Sequence, residues 1–186
     1  MKRAILMSIR PEWLVKILNG DKTIVIRKTM PKCELPIDVY LYCTKGKPLV
    51  DDYCPDLNIY KAYFLGDYGY TKTPVLNGKV VATFTLNKIE DCCDMSLPEL
   101  ENKSLLNINE ICSYIKAKEV DPKTVYAWHI NNLKIFNKPM ELGEFSTFKR
   151  ETIHCGMDCP PYTDWVEYRV RKAPKSWQYA YVEDEV

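Results

Sequence analysis

Over its first 44 residues the chain changes apolar pattern from strand to helix and twice back to strand, an order that restricts it to folds mixing the two. Ala4 to Ile9 reads as a short, largely buried strand. Pro11 opens a helix in which Trp13, Leu14, Ile17 and Leu18 fall on one face, and Gly20 stands where a helix C-terminus is capped. The β-branched run from Thr23 to Thr29 is a strand, and Pro31 and Pro36 mark the connection to the next. There Ile37, Val39, Leu41 and Cys43 alternate with Asp38, Tyr40, Tyr42 and Thr44, the pattern of a strand with one face inward.

Residues 45–77 are rich in Tyr, Pro, Gly and Asp and read as a long irregular excursion, of the kind that is usually functional or mobile. Lys79 to Glu90 returns to strand with Val80, Ala82, Phe84 and Leu86 on one face, which brings in a β-barrel or strongly curved sheet. Two cap pairs, Ser96 with Glu99 and Asn107 with Glu110, predict a helical insert over 96–119, broken by Asp121 and Pro122. Thr124 to Ile130 is a strand carrying Trp128 and His129, extended by Leu133 to Phe136 before a turn at Asn137, Lys138 and Pro139. A short helix over 141–149, an irregular segment over 150–172, and an aromatic closing strand from Trp177 to Val182 complete the expectation.

A length of 186 residues suits one domain, 1–186, and 46% hydrophobic with 27% charged residues excludes a disordered chain. No apolar run reaches the ~18 residues that span a bilayer, and the first residues are too short in apolar content for a signal peptide, so a soluble cytoplasmic protein without a membrane partner is expected. In that compartment the eight cysteines read as reduced thiols, several of them buried. Charge is uneven along the chain. Residues 1–50 hold ten Lys or Arg against four Asp or Glu, a balance of +6; the remainder holds 26 − 10 = 16 against 25 − 4 = 21, or −5. The basic side of the molecule is thus built from its first quarter, which points to an anionic partner.

Lys22, Arg27 and Lys28 lie within seven residues, with Tyr40 and Tyr42 on the following strand. Cations beside aromatic rings on a curved sheet suit an anion carried on a stacking base, where each stacked base contributes ~1–3 kcal/mol. His129 reads either as a hydrogen-bonded histidine under the site or as a reader of a base edge, with Trp128 or Trp177 stacking. Adjacent strand residues face opposite ways, so Trp128 and His129 do not line one pocket together. Cys155 and Cys159 with His154 are zinc candidates, short of the four ligands a tetrahedral site needs; otherwise no cofactor is expected.

Gly20, Lys22 and Arg27 resemble the Gly-x-Lys-x-x-Glu-x-Arg motif of ASCH domains, members of the PUA-like β-barrel superfamily. The resemblance continues through Ser8-Ile9-Arg10-Pro11-x-Trp13, Lys28-Thr29-Met30-Pro31, Gly78-Lys79-Val80-Val81, Tyr126-Ala127-Trp128-His129-Ile130 and Pro174-x-Ser176-Trp177. In this order it is similar to the ASCH branch carried by phages and prophages of Gram-positive bacteria. The resemblance implies an α+β fold, a PUA-like β-barrel with the helix at 11–19 at its mouth and the helical insert beside it. It also implies binding of RNA or a modified nucleotide, with Lys22, Thr23, Arg27, Lys28, Tyr42, Trp128, His129, Ser176 and Trp177 as the site.

Small N4-acetylcytidine amidohydrolases share this fold, and their catalytic lysine corresponds to Lys22. Where they carry a catalytic threonine, and the ASCH motif a glutamate, this chain has Val25, which can neither attack nor transfer a proton. Thr23 shares a strand face with Val25 and is the displaced nucleophile the spacing offers. A third possibility is an accessory protein that docks a host protein through residues 45–77 and the acidic tail.

Overall fold

The computed structural model describes residues 1–54, 59–64, 75–115, 125–154 and 162–183. Among the described residues three sheets carry the architecture, with three α-helices. The largest sheet is made from β1 (Lys2–Ile9), β3 (Ile37–Cys43), β6 (Val80–Leu86), β9 (Asn131–Met140), β10 (Phe145–Ile153), β11 (Tyr162–Arg169) and β12 (Trp177–Val182). Its seven strands lie in the order β11-β10-β12-β1-β3-β6-β9. The pairing of β1 with β3 is parallel; the others are antiparallel. A three-stranded sheet joins β2 (Ile24–Arg27), β8 (Tyr126–His129) and β7 (Ile89–Asp91), and a hairpin pairs β4 (Leu49–Cys54) with β5 (Ile59–Phe64). The helices are α1 (Pro11–Leu18), α2 (Leu97–Ser104) and α3 (Ile108–Ile115). The fold is α+β. Among the described residues the hydrogen-bonded ladders leave three separate sheets rather than the closed barrel expected. No described helix is long and apolar enough to cross a membrane.

Strand alternation gives the large sheet two apolar faces. Ile5, Met7 and Ile9 of β1, with Val39, Leu41 and Cys43 of β3, join Leu14, Ile17 and Leu18 of α1 and Trp128 in the larger core. Ala4 and Leu6, with Tyr40 and Tyr42, pack on the opposite face around Phe145 and Ala180. The face predicted for β6 shifts by one position at its start: Val80 joins the second core while Val81, Ala82, Phe84 and Leu86 join the first. Register irregularities at Leu41/Tyr42 and Val80/Ala82 cause the shift.

Several expectations are corrected. The excursion over 45–77 contains the β4–β5 hairpin, whose Leu49, Val50 and Ala62 are buried. Asn19 ties this hairpin to α1, donating to the Ala62 carbonyl at 3.0 Å and accepting from its N–H at 2.8 Å. The strand at 126–129 does not continue through 133–136. Ile130 separates β8 from β9, Asn132 at φ 50° marks the irregular start of β9, and β9 runs on to Met140 past the expected turn. Residues 141–149 form only a single 3-10 turn at Leu142–Glu144, and the segment from 145 to 169, read as helix and irregular chain, supplies the β10–β11 hairpin. The closing strand forms as expected and pairs with β1, Lys2 opposite Val182 through Met7 opposite Trp177.

Candidate functional site

The local folding of Gly20 to Thr23 fixes the site's lysine. Gly20 takes φ +81°, where a side chain is strained, and donates to the Ile17 carbonyl at 3.0 Å as α1 ends. Lys22 N–H then reaches the Lys16 carbonyl at 3.0 Å, and Thr23 is held on both sides, donating to Lys103 O at 3.0 Å and accepting from Ile130 N–H at 2.9 Å. The C-terminal end of α2 thus abuts the lysine, and Lys22 Nζ donates to the Ser104 carbonyl.

Strand β2 is buried on both sides, which explains the burial of its last residue. Val25 packs into the larger core, while Ile24 and Ile26 meet Leu100 of α2 and Ile111 of α3 in a third cluster. Arg27 closes the strand at 9% exposure, its Nη2 donating to Ser8 O and Nη1 to Ile26 O, both at 3.2 Å. Its Nε is buried with no hydrogen-bond partner among the described residues. Burial lowers the Arg27 pKa, and the Tyr114 hydroxyl beside it opposes that shift.

These groups open on a cleft of about 1020 Å³ between the ends of β1 and β2, the start of α1 and the exposed side of α3. Among the described residues Arg10, Lys22, Arg27, Lys45 and Lys175 line it, against one carboxylate, Glu110. That carboxylate is engaged in the α3 cap, accepting from Asn107 N–H at 2.9 Å while Asn107 Oδ1 accepts from Glu110 N–H at 2.9 Å, as the sequence predicted. The other predicted cap, at Ser96, is formed without a side-chain bond, and Glu99 pairs with Lys103 at 2.7 Å instead. Trp13 and Tyr114 supply aromatic surface: Lys22 Nζ lies 5.3 Å from the Trp13 ring centroid and Lys28 Nζ 5.2 Å from that of Tyr114. Lys22 is only 4% exposed. Burial, then the charges of Arg27 and Lys16, lower its pKa from 10.5 to about 7, with Glu110 opposing.

Of the residues predicted from sequence, the cleft gathers Lys22, Arg27 and Ser176, with Lys28 beside it. Thr23 is exposed ahead of β2 and outside the lining. Tyr42 packs in the second core, on the far face of the large sheet. Trp128 is wholly buried, 5.3 Å from Trp177 between ring centroids, so it offers no face for stacking. Trp177 lies outside the lining, its indole N–H donating to Thr29 Oγ1 at 3.1 Å. Trp128 and His129 do face opposite ways: His129 Nε2 meets the Glu90 carboxylate, which also pairs with Lys88 at 2.8 Å. Lys88 and then His129 hold the Glu90 carboxyl below its usual range. Of the zinc candidates, His154 is exposed after β10, while Cys155 and Cys159 lie outside the described residues.

Sequence reasoning missed Arg10, Lys45, Glu110, Tyr114 and Lys175 as site residues. Only the basic excess of the first 50 residues hinted at Arg10 and Lys45. Fold and site together define an α+β domain with a cationic cleft. The chain is similar to the crystal structure of ASCH from Zymomonas mobilis, at 15% identity and TM-score 0.49, over 75% of this chain and 73% of that one. A mutant form of that Zymomonas mobilis protein matches at 14% identity and TM-score 0.47, over 76% and 77%. No protein-family model and no curated protein matches the sequence.

Proposed function

We propose that the chain binds RNA or a modified nucleotide through this cleft, with Lys22, Arg27 and Lys28 engaging phosphate and Tyr114 and Trp13 offering ring surface to a base. The carrying observation is the lining, among the described residues five cations against a single carboxylate already occupied by a helix cap. The motif resemblance to ASCH domains, in Gly20, Lys22 and Arg27, supports the same reading. Binding to a labelled single-stranded RNA, followed by fluorescence anisotropy, tests it. Three phosphate contacts give a slope near −2 in log affinity against log salt, so affinity should fall roughly 20-fold between about 50 and 200 mM. Affinity indifferent to salt over that range would overturn the proposal.

One observation favours a hydrolase as the second reading: a lysine whose pKa is about 7 can serve as a base at neutral pH. Against it, Val25 is 3% exposed within the core and Thr23 lies outside the cleft, so neither motif position supplies a nucleophile there. Turnover of N4-acetylcytidine that disappears in Lys22→Ala would establish this reading in place of the first.

A further inference from the structure

Lys22 has the environment of a nucleophilic amine rather than of an ordinary charge. It is 4% exposed at the wall of a cleft large enough for a ligand, beside a guanidinium, and it makes no ion pair among the described residues. Its hydrogen bond to the Ser104 carbonyl uses one N–H and leaves the lone pair of the neutral amine uncommitted. Desolvation and a neighbouring cation are the two conditions that turn a lysine into a former of Schiff bases.

We propose that Lys22 condenses with an aldehyde carried on a phosphate-bearing ligand and holds it as an imine. This rests on the reading of the cleft as a phosphate site. Two sources share the chemistry: the open-chain sugar of an abasic nucleotide within a strand, and a free phosphorylated aldehyde. The Lys22 lone pair adds to the carbonyl carbon and the π pair moves to oxygen, which takes up a proton to give the carbinolamine. That hydroxyl then leaves as water, both N–H protons having been given up overall, and a C=N bond remains. Amine and aldehyde become imine and water, with no change of oxidation state. Arg27 and the outer cations hold the phosphate, and burial against Trp13 favours the step that expels water.

The protonation state agrees with this role. At pH 7 a lysine with the ordinary pKa of ~10.4 is neutral in only about one molecule in 2,500. Lys22, at about 7, is neutral in roughly half.

Borohydride, which converts an imine into a stable secondary amine, provides the test. The intact protein is incubated at pH 7 with a single-stranded oligonucleotide carrying one abasic aldehyde, with glyceraldehyde 3-phosphate, and with glyceraldehyde. Each sample is then reduced, and adducts are located by peptide mass. Lys22 should be labelled roughly 30-fold faster than exposed Lys138 or Lys172, allowing for the lower intrinsic nucleophilicity of a less basic amine. The aldehyde without phosphate should label Lys22 at least about tenfold more slowly. Labelling of Lys22 by glyceraldehyde 3-phosphate but not by the strand, with no binding of a tetrahydrofuran analogue of that strand, upholds the imine and overturns the nucleic-acid reading. Lys22 left unlabelled by both, while a tetrahydrofuran analogue of the abasic strand still binds, overturns the imine alone. Lys22 unlabelled with no strand binding overturns both. Equal labelling by glyceraldehyde overturns the requirement for phosphate. Because the adduct is mapped on the unaltered chain, the outcome does not depend on whether Lys22→Met folds.

Discussion

Cations meet aromatic rings both in the cleft and on the β10–β11 hairpin, in very different surroundings. In the cleft Lys22 and Arg27 are 4% and 9% exposed, and the one lining carboxylate is bound to a helix cap. On the hairpin Lys149 Nζ lies 5.4 Å from the Tyr168 ring centroid and Arg150 stands opposite Trp165, but Trp165 is 64% exposed. Acids interleave with these cations along the same ladder, Glu151 opposite Asp164 and Glu167 opposite Phe148. The residue types are alike, and their surroundings separate them. Water and salt screen the hairpin's charges beyond about 8 Å, whereas burial keeps the cleft's field intact and shifts the chemistry of the groups producing it.

The largest contrast expected is in stability. Phe145, fully buried edge-on to Tyr40 at 5.1 Å between centroids, roots the hairpin in the second core. Phe145→Ala should cost about 3–5 kcal/mol by chemical denaturation; a loss below about 1 kcal/mol would show that the hairpin is held by something else. Next comes binding. Lys22→Ala combined with Arg27→Ala should weaken RNA binding roughly 100-fold, against less than about threefold for Lys149→Ala combined with Arg150→Ala, since desolvated charged contacts contribute ~1.5–3 kcal/mol each and exposed ones little. The reverse ranking would move the interface to the hairpin.

A pH series sharpens the comparison at about tenfold. Phosphodiester charge is constant from pH 7 to 9, so any change comes from the protein. Bound phosphate raises the Lys22 pKa from about 7, so above pH 7 binding must take up a proton and affinity falls. Each unit of that rise contributes a factor of ten, and about tenfold loss is expected by pH 9. A profile flat over the same range would move the phosphate contact away from Lys22. The smallest effect belongs to Trp165→Ala, which should change stability by less than about 0.5 kcal/mol in the same denaturation experiment, as exposed substitutions do.

Much of the first 43 residues was legible because α1 packs one apolar face inward and β1 and β3 alternate strictly between two cores. Ile37, Val39, Leu41 and Cys43 face one core while Tyr40 and Tyr42 face the other, and Leu14, Ile17 and Leu18 share the helix face that packs on the first. The β10–β11 hairpin leaves no such trace. From Lys149 to Glu151 and from Tyr162 to Asp164 both faces are exposed, so the ladder, which has no residue preference to read, defines those strands. In the site, Lys22 and Arg27 were recognisable from their motif, but Tyr114 was not, because an exposed aromatic on a helix looks the same whether or not a cleft opens beside it. Trp128 misled for the opposite reason. Aromatic residues on strands fill cores as readily as they stack on ligands, and here Val25 opposite it in register faces the same interior.

The pairing of β1 with β12 also has a consequence for how the protein is made. Ser8, at the edge of the cleft, donates to the carbonyl of Pro174, 166 residues away, and its N–H reaches Ser176 O at 2.9 Å. On the ribosome, β1 and β3 can pair early, while the wall bearing Lys175 and Ser176 is synthesised much later. Until then β1 has an open edge and Arg27 faces a half-built cavity. The nascent chain should therefore acquire its ligand affinity in one late step, and that same edge is where an interrupted chain would be most prone to pair with a stranger.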